Sequence, residues 1–181
     1  REGIQVRNTF DRFNGRHQDY QAARPSYAQE FLDWLGELYA PPERYTAADI
    51  GSGTGKLSAQ LLAAGFRVCG VEPNPDMRGA AEALLGGDPR FSSSNGTDHD
   101  TGLPDRSVDM VAAAQAFHWF DGPAFARECR RILRPGGRAV LVWNVRGSAP
   151  MNQALAQVFR EHCPSFHGFT GGMGEDDPRI R

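Results

Sequence analysis

Along this chain, short apolar runs alternate with stretches in which apolar residues recur every three or four positions, the rhythm of strand followed by helix. Residues 47–50 form the first run, and Leu57, Leu61 and Leu62 then fall on one side of a helix. The same reading predicts strands over 66–72, 91–94, 108–114 and 138–143, with helices over 76–85 and 122–133. The serine-rich run 91–94 is the poorest in apolar residues, whereas 108–114 is apolar throughout except Asp109, as for a parallel strand buried on both faces. Before these, Phe31, Leu32, Trp34, Leu35 and Leu38 form an amphipathic helix, with Pro25 at its start and Ser26 and Gln29 spaced as a capping box. Residues 149–162 read as one more helix, 1–19 as a mobile lead-in, and 164–181 as glycine-rich and irregular. Alternating strands and helices predict one doubly wound α/β domain over 1–181, with a mostly parallel sheet.

Between the first strand and its helix lie Gly51, Gly53 and Gly55, so a backbone that accepts positive φ and close approach stands at the mouth of the sheet. A dinucleotide fingerprint would need a third glycine where Lys56 stands. A Walker loop would need glycine at Ile50 and a hydroxyl at Leu57. Glu72 ends the second strand about twenty residues beyond Gly51, where an acid can accept both hydroxyls of a ribose.

Asp49-Ile50-Gly51-Ser52-Gly53-Thr54-Gly55 resembles motif I of class I S-adenosylmethionine-dependent methyltransferases. Tyr20-x-x-x-Arg24-Pro25-x-Tyr27, Ala114-Gln115-Ala116-Phe117-His118-Trp119-Phe120 and Leu133-x-Pro135-Gly136-Gly137 resemble elements of its small-molecule subgroup, in the right order. The resemblance covers about residues 20–145. It implies a Rossmann-like methyltransferase fold, S-adenosylmethionine as cofactor and a small-molecule acceptor. Asp49, Gly51, Ser52, Gly53 and Gly55 would surround the cofactor's methionine and ribose. Tyr20 and Arg24 would reach over its carboxylate, and Pro73, Asn74 and Met77 would line the ribose and adenine pocket, although Met77 also reads as core. The family has Gly-x-Ala-Glu where this chain has Gly96-Thr97-Asp98-His99, so Thr97, Asp98 and His99 would flank the adenine, with Asp98 accepting from its amine and His99 in the solvated loop. Gln115, Ala116 and Phe117 would close the cofactor site from the fourth strand. Class I members finish the sheet with two more strands, one antiparallel, and neither is legible here.

His118 is the ionisable residue of the segment 115–120, and an imidazole there can serve as general base if the acceptor must lose a proton. No metal site is read. The formal net charge of −2 gives no electrostatic reason to bind nucleic acid or an anionic membrane. Arg127, Arg130, Arg131 and Arg134 then read as a solvated helix face. Three cysteines without a Cys-x-x-Cys pair, and no long apolar run, lead to the expectation of a soluble cytoplasmic protein. Two alternatives stay open: a module that keeps the cofactor without catalysis and, against the glycine spacing, a nicotinamide-dependent oxidoreductase.

Overall fold

The computed structural model describes residues 27–143. Chain contacts divide the molecule after Val142, and the fold below belongs to the first unit. The predicted lead-in, Tyr20, Arg24, the helix over 149–162 and the glycine-rich end lie outside the described residues.

Five strands, β1 (Thr46–Ile50), β2 (Arg67–Val71), β3 (Phe91–Ser94), β4 (Val108–Ala114) and β5 (Leu133–Val142), form one sheet in the order β3-β2-β1-β4-β5. Every pairing is parallel. The helices are α1 (Gln29–Leu38), α2 (Lys56–Ala63), α3 (Pro75–Leu85) and α4 (Gly122–Ile132). From β1 the chain steps outward to β2 and β3, then returns to place β4 on the other side of β1. That reversal opens a crevice between the carboxyl ends of β1 and β4, where an open α/β sheet takes its ligand.

Side-chain alternation along each strand divides the core between two faces. On one face Ala47, Val68, Met110 and Ala112 meet Leu35 and Tyr39 of the α1 segment, Leu57, Leu61 and Leu62 of α2, and Phe66. Leu35, Leu61 and Phe66 are fully buried, each contributing roughly 1.5–3 kcal/mol. The alternate positions Ala48, Ile50, Val71, Val111 and Ala113 are buried on the other face, as is the stripe Phe125, Cys129 and Ile132 of α4.

Three local expectations need correction. The α1 helix begins at Gln29 behind Ala28, with no side-chain cap, instead of at a Ser26–Gln29 box. Tyr27 is held extended because its N–H donates to Gln60 Oε1 (3.1 Å) and its carbonyl accepts from Gln60 Nε2 (3.1 Å). Gln29 turns forward to Asp33 Oδ1 instead (2.8 Å). Helix α4 stops at Ile132, ahead of the Pro-Gly-Gly stop, because the N–H groups of Arg106 and Ser107 take the carbonyls of Arg131 and Ile132 (2.9 and 2.8 Å). Leu133 thereby joins β5 opposite Val108, and the predicted start at Arg138 lies beyond a bulge over 134–137.

The arginine face is not wholly solvated either. Arg131 donates twice to the Glu128 carboxylate (2.8 and 2.7 Å) and once to Asp105 (2.7 Å). Glu128 also takes the N–H and hydroxyl of fully buried Thr101 (2.9 and 2.6 Å), fastening α4 to the loop before β4. Arg134, in β5 and not in the helix, reaches Asp109 Oδ2 (2.7 Å), which also accepts from Thr46 N–H (2.8 Å).

These bonds, the Arg131 guanidinium foremost, hold Glu128 down from 4.5 to about 2. A lowered folded-state pKa means stability complete above 4.5 and lost as pH falls toward 2. Arg131→Met is expected to cost about 2 kcal/mol at neutral pH, since a buried carboxylate loses its cation. Chemical denaturation from pH 2 to 7 would check it, and the variant's acid limb should be flatter than the parent's.

Candidate cofactor site

The turn after β1 is a run of left-handed glycines, Gly51, Gly53 and Gly55, with φ of 70°, 57° and 82°. At Gly51 the constraint is also spatial, because a Cβ would stand 2.8 Å from the Ala116 methyl and 3.3 Å from the Phe120 ring. The segment after β4 therefore lies directly on the glycine turn. The N–H groups of Gly51 and Ser52 both donate to Val71 O of β2 (2.8 and 3.2 Å), so the chain doubles back over the neighbouring strand.

Glu72 joins the next two pieces. Its Oε2 accepts from Gly53 N–H (2.9 Å) and its Oε1 from Asn74 N–H (2.9 Å), with the residue 9% exposed. Asn74 Oδ1 caps α3 by accepting from the N–H groups of Asp76 and Met77 (both 3.0 Å). Arg78 Nη1 donates back to the carbonyls of Glu72 and Pro73 and to Asn95 (2.7, 3.3 and 3.1 Å), tying the loops after β2 and β3 together. Met77 is buried at the start of α3, 2% exposed.

Below the turn, Asp49 is wholly buried and accepts from the Ser58 hydroxyl at 2.7 Å. Burial is the main cause that lifts its carboxyl from 3.8 to about 6, with Ser58 opposing and the Glu72 charge adding. Burial also raises Glu72, against the hydrogen bonds from Asn74 and Gly53. Two carboxyls raised by desolvation beside one cleft are what a ligand-binding site displays.

The loops after β3 and β4 carry the remaining predicted residues, none of which lines the cleft beside the glycine turn. Thr97 and Asp100 close a turn, N–H to O at 2.8 Å and N–H to hydroxyl at 3.1 Å. Asp98 Oδ2 accepts from Asp121 N–H (3.1 Å), while its Oδ1 lies 3.1 Å from Nδ1 of the exposed His99. Gln115 leaves β4 at φ 55°, a left-handed conformation uncommon outside glycine, with its N–H on Val142 O (2.8 Å). Ala116 and Phe117 are buried, and Phe117 packs edge-on against Phe120 and Phe125 (6.1 and 5.6 Å). Part-exposed His118 occupies the 3-10 turn Phe117–Trp119, its ring 4.8 Å from that of Trp119.

Of the predicted residues, Asp49, Gly51, Ser52 and Gly53 line one cleft together. Glu72 and Asn74 attach to it through Gly53, and Ala116 by contact with Gly51. The same cleft is lined by Tyr27, Thr54, Lys56, Leu57 and Ala114, which sequence reasoning did not assign to it. For Tyr27 the signal was present, as the last residue of the Arg-Pro-x-Tyr element.

Residues 48–141 match the methyltransferase domain family. The chain belongs to that family. Over 127 residues it is 42% identical to an uncharacterized methyltransferase of Mycobacterium tuberculosis, covering 70% of this chain and 49% of the relative. A solved structure of a candidate type II methyltransferase from Anaeromyxobacter dehalogenans is 37% identical, with a TM-score of 0.62 over 80% of this chain and 57% of that one. A candidate S-adenosylmethionine-dependent methyltransferase of Methanococcus maripaludis shares the fold at 20% identity, with a TM-score of 0.62 over 90% of this chain and 77% of that one. The chain spans about half the length of the curated relatives it matches. The architecture is the Rossmann-like fold of class I S-adenosylmethionine-dependent methyltransferases, as the sequence motifs imply. Among the described residues no helix is long and apolar enough to cross a membrane.

In this methyltransferase domain the raised Asp49 carboxyl has a measurable sign. A folded-state pKa of about 6 against 3.8 means stability fully present below 3.8 and lost as pH rises through 6. Asp49→Asn keeps an acceptor for Ser58 without the buried charge. It should raise stability at pH 7 on the order of 2 kcal/mol and remove most of the slope between those two values. Thermal unfolding from pH 4 to 8 would decide, and a variant less stable than the parent at pH 7 would contradict it.

Proposed function

We propose that this chain binds S-adenosylmethionine across the β1/β4 crevice and transfers its methyl group to a small-molecule acceptor. The observation that carries the reading is the Glu72 carboxylate, held by one backbone N–H on each oxygen and left with one further lone pair on each. Two adjacent hydroxyls of a ribose fit those two acceptors. The glycine turn presents backbone without side chains beside them, and Asp49 below it offers a buried carboxyl to a cationic ligand. Bound S-adenosylmethionine supplies a methyl group made electrophilic by its sulfonium.

The chain's own residues have chiefly to hold the partners in line, and positioning of this kind accounts for much of a displacement's rate enhancement. Gly51, Ser52 and Gly53 seat the methionine end, and Pro73 and Asn74 flank the ribose and adenine. Met77 supports that wall from below, and Thr97, Asp98 and His99 form its far side. Gln115, Ala116 and Phe117 close the site from β4, and His118 takes a proton from a hydroxyl acceptor at its imidazole. Tyr20 and Arg24 are assigned to the cofactor's carboxylate on the sequence motif alone. We assign the protein to the cytoplasm, with neither nucleic acid nor membrane as partner, in keeping with its charge of −2.

Calorimetric titration of the full chain with S-adenosylhomocysteine tests the reading directly, and absence of binding would overturn it. Glu72→Ala should weaken that binding by about 1.5–3 kcal/mol, the range for hydrogen bonds to a charged group. In an acceptor screen with S-adenosylmethionine, His118→Asn should lower turnover roughly 10²-fold while leaving cofactor affinity nearly unchanged. Turnover within a few-fold of the parent would leave catalysis to positioning alone.

A further inference from the structure

In the loop after β3 the Asp98 side chain makes a contact that reaches across to the start of α4. Asp98 is 11% exposed at its side chain, and its Oδ2 accepts from the backbone N–H of Asp121 at 3.1 Å. Asp121 is the N-cap of α4, its own Oδ1 accepting from Ala124 N–H at 3.0 Å. It directly follows Phe120, whose ring approaches the Gly51 position, and the turn that carries His118. The other Asp98 oxygen faces His99 Nδ1 at 3.1 Å, which orients the carboxyl group toward α4. One short side chain thus spans from the wall assigned to adenine to the segment assigned to the acceptor.

We propose that Asp98 is a positioning residue that couples the two: adenine binding against the β3 loop fixes the Asp98 carboxylate, which already holds the Asp121 N–H and thereby steadies the segment 116–121 over the glycine turn. The inference rests on the cofactor reading above. Its chemistry is that of a single acceptor group shared between a ligand amine and a backbone N–H, each using a different lone pair. An alanine at position 98 would have no acceptor for the Asp121 N–H.

Hydrogen exchange on the full chain, with and without S-adenosylhomocysteine, tests it in the parent, Asp98→Asn and Asp98→Ala. In the parent, amides over 117–121 should slow on ligand addition. Asp98→Asn keeps an oxygen for Asp121 and should retain the parent's slow exchange over 117–121 in the absence of ligand. In Asp98→Ala, those amides should exchange about tenfold faster without ligand, the equivalent of one lost hydrogen bond. They should also stop responding to ligand, even at concentrations that saturate the variant by calorimetry. Parent-like protection in Asp98→Ala, or equal loss in the Asn and Ala variants, would overturn the proposal. If the parent itself failed to bind S-adenosylhomocysteine, the cofactor reading would fall and the coupling with it, whereas binding with an unresponsive 117–121 segment would reject the coupling alone.

Discussion

A carboxylate nearly out of water has to be satisfied from within, and Glu72 takes its two donors from two different elements. Gly53 N–H can reach it because the chain turns at left-handed Gly51, where the N–H groups of Gly51 and Ser52 are held on Val71 O at the end of β2. Asn74 N–H can reach it because the chain reverses at once, and the same Asn74 then caps α3. Without the acid the glycine turn would lose its tie to β2's outgoing chain, and the start of α3 would lose its fixed angle. Desolvation still outweighs both bonds, since the Glu72 carboxyl stays raised. A ligand bringing two further donors would lower that cost, which is how a site can be built before its ligand arrives.

The two ends of the sheet handle charge differently. At the amino ends of the strands, carboxylates are neutralised by arginines and backbone donors: Asp109 with Arg134 and Thr46, Glu128 with Arg131 and Thr101. Glu128 is accordingly held well below its ordinary value. At the carboxyl ends, burial raises both Asp49 and Glu72, in Glu72 against its hydrogen bonds from Asn74 and Gly53 and the Arg78 charge. Stability is won at one end and conceded at the other, the usual relation between scaffold and site.

What could be read from the sequence was what repeats a spacing. The strand-turn-helix at 47–62, Glu72 about twenty residues on, and the apolar run 108–114 are local patterns with a fixed meaning, and each stands where the pattern put it. Even the serine-rich run 91–94 forms a strand, because β2 supplies a partner register that propensity does not record. Illegible were the contacts that depend on which loops the fold brings together. Gln60 fixing Tyr27 replaces a local cap with a bond across thirty-three positions. Arg106 and Ser107 end α4 before its own stop signal. Glu128 on a helix looks like a solvated acid until Thr101 is found beneath it.

Methyl transfer tolerates little error in the distance between donor and acceptor, so whatever fixes that distance governs the chemistry. The glycine turn leaves β1 and the segment 115–121 leaves β4, and the two strands are adjacent, with Asp49 opposite Ala112. Their separation is therefore set by backbone pairing deep in the sheet, not by the loops themselves. A slip of one residue between β1 and β4 would displace the Gln115–Phe120 segment from Gly51 by a full strand step, about 3.3 Å, and reverse which of its side chains face the cleft. The close approach of Ala116 to Gly51 opposes that slip, because a larger side chain brought to that position would meet the turn backbone.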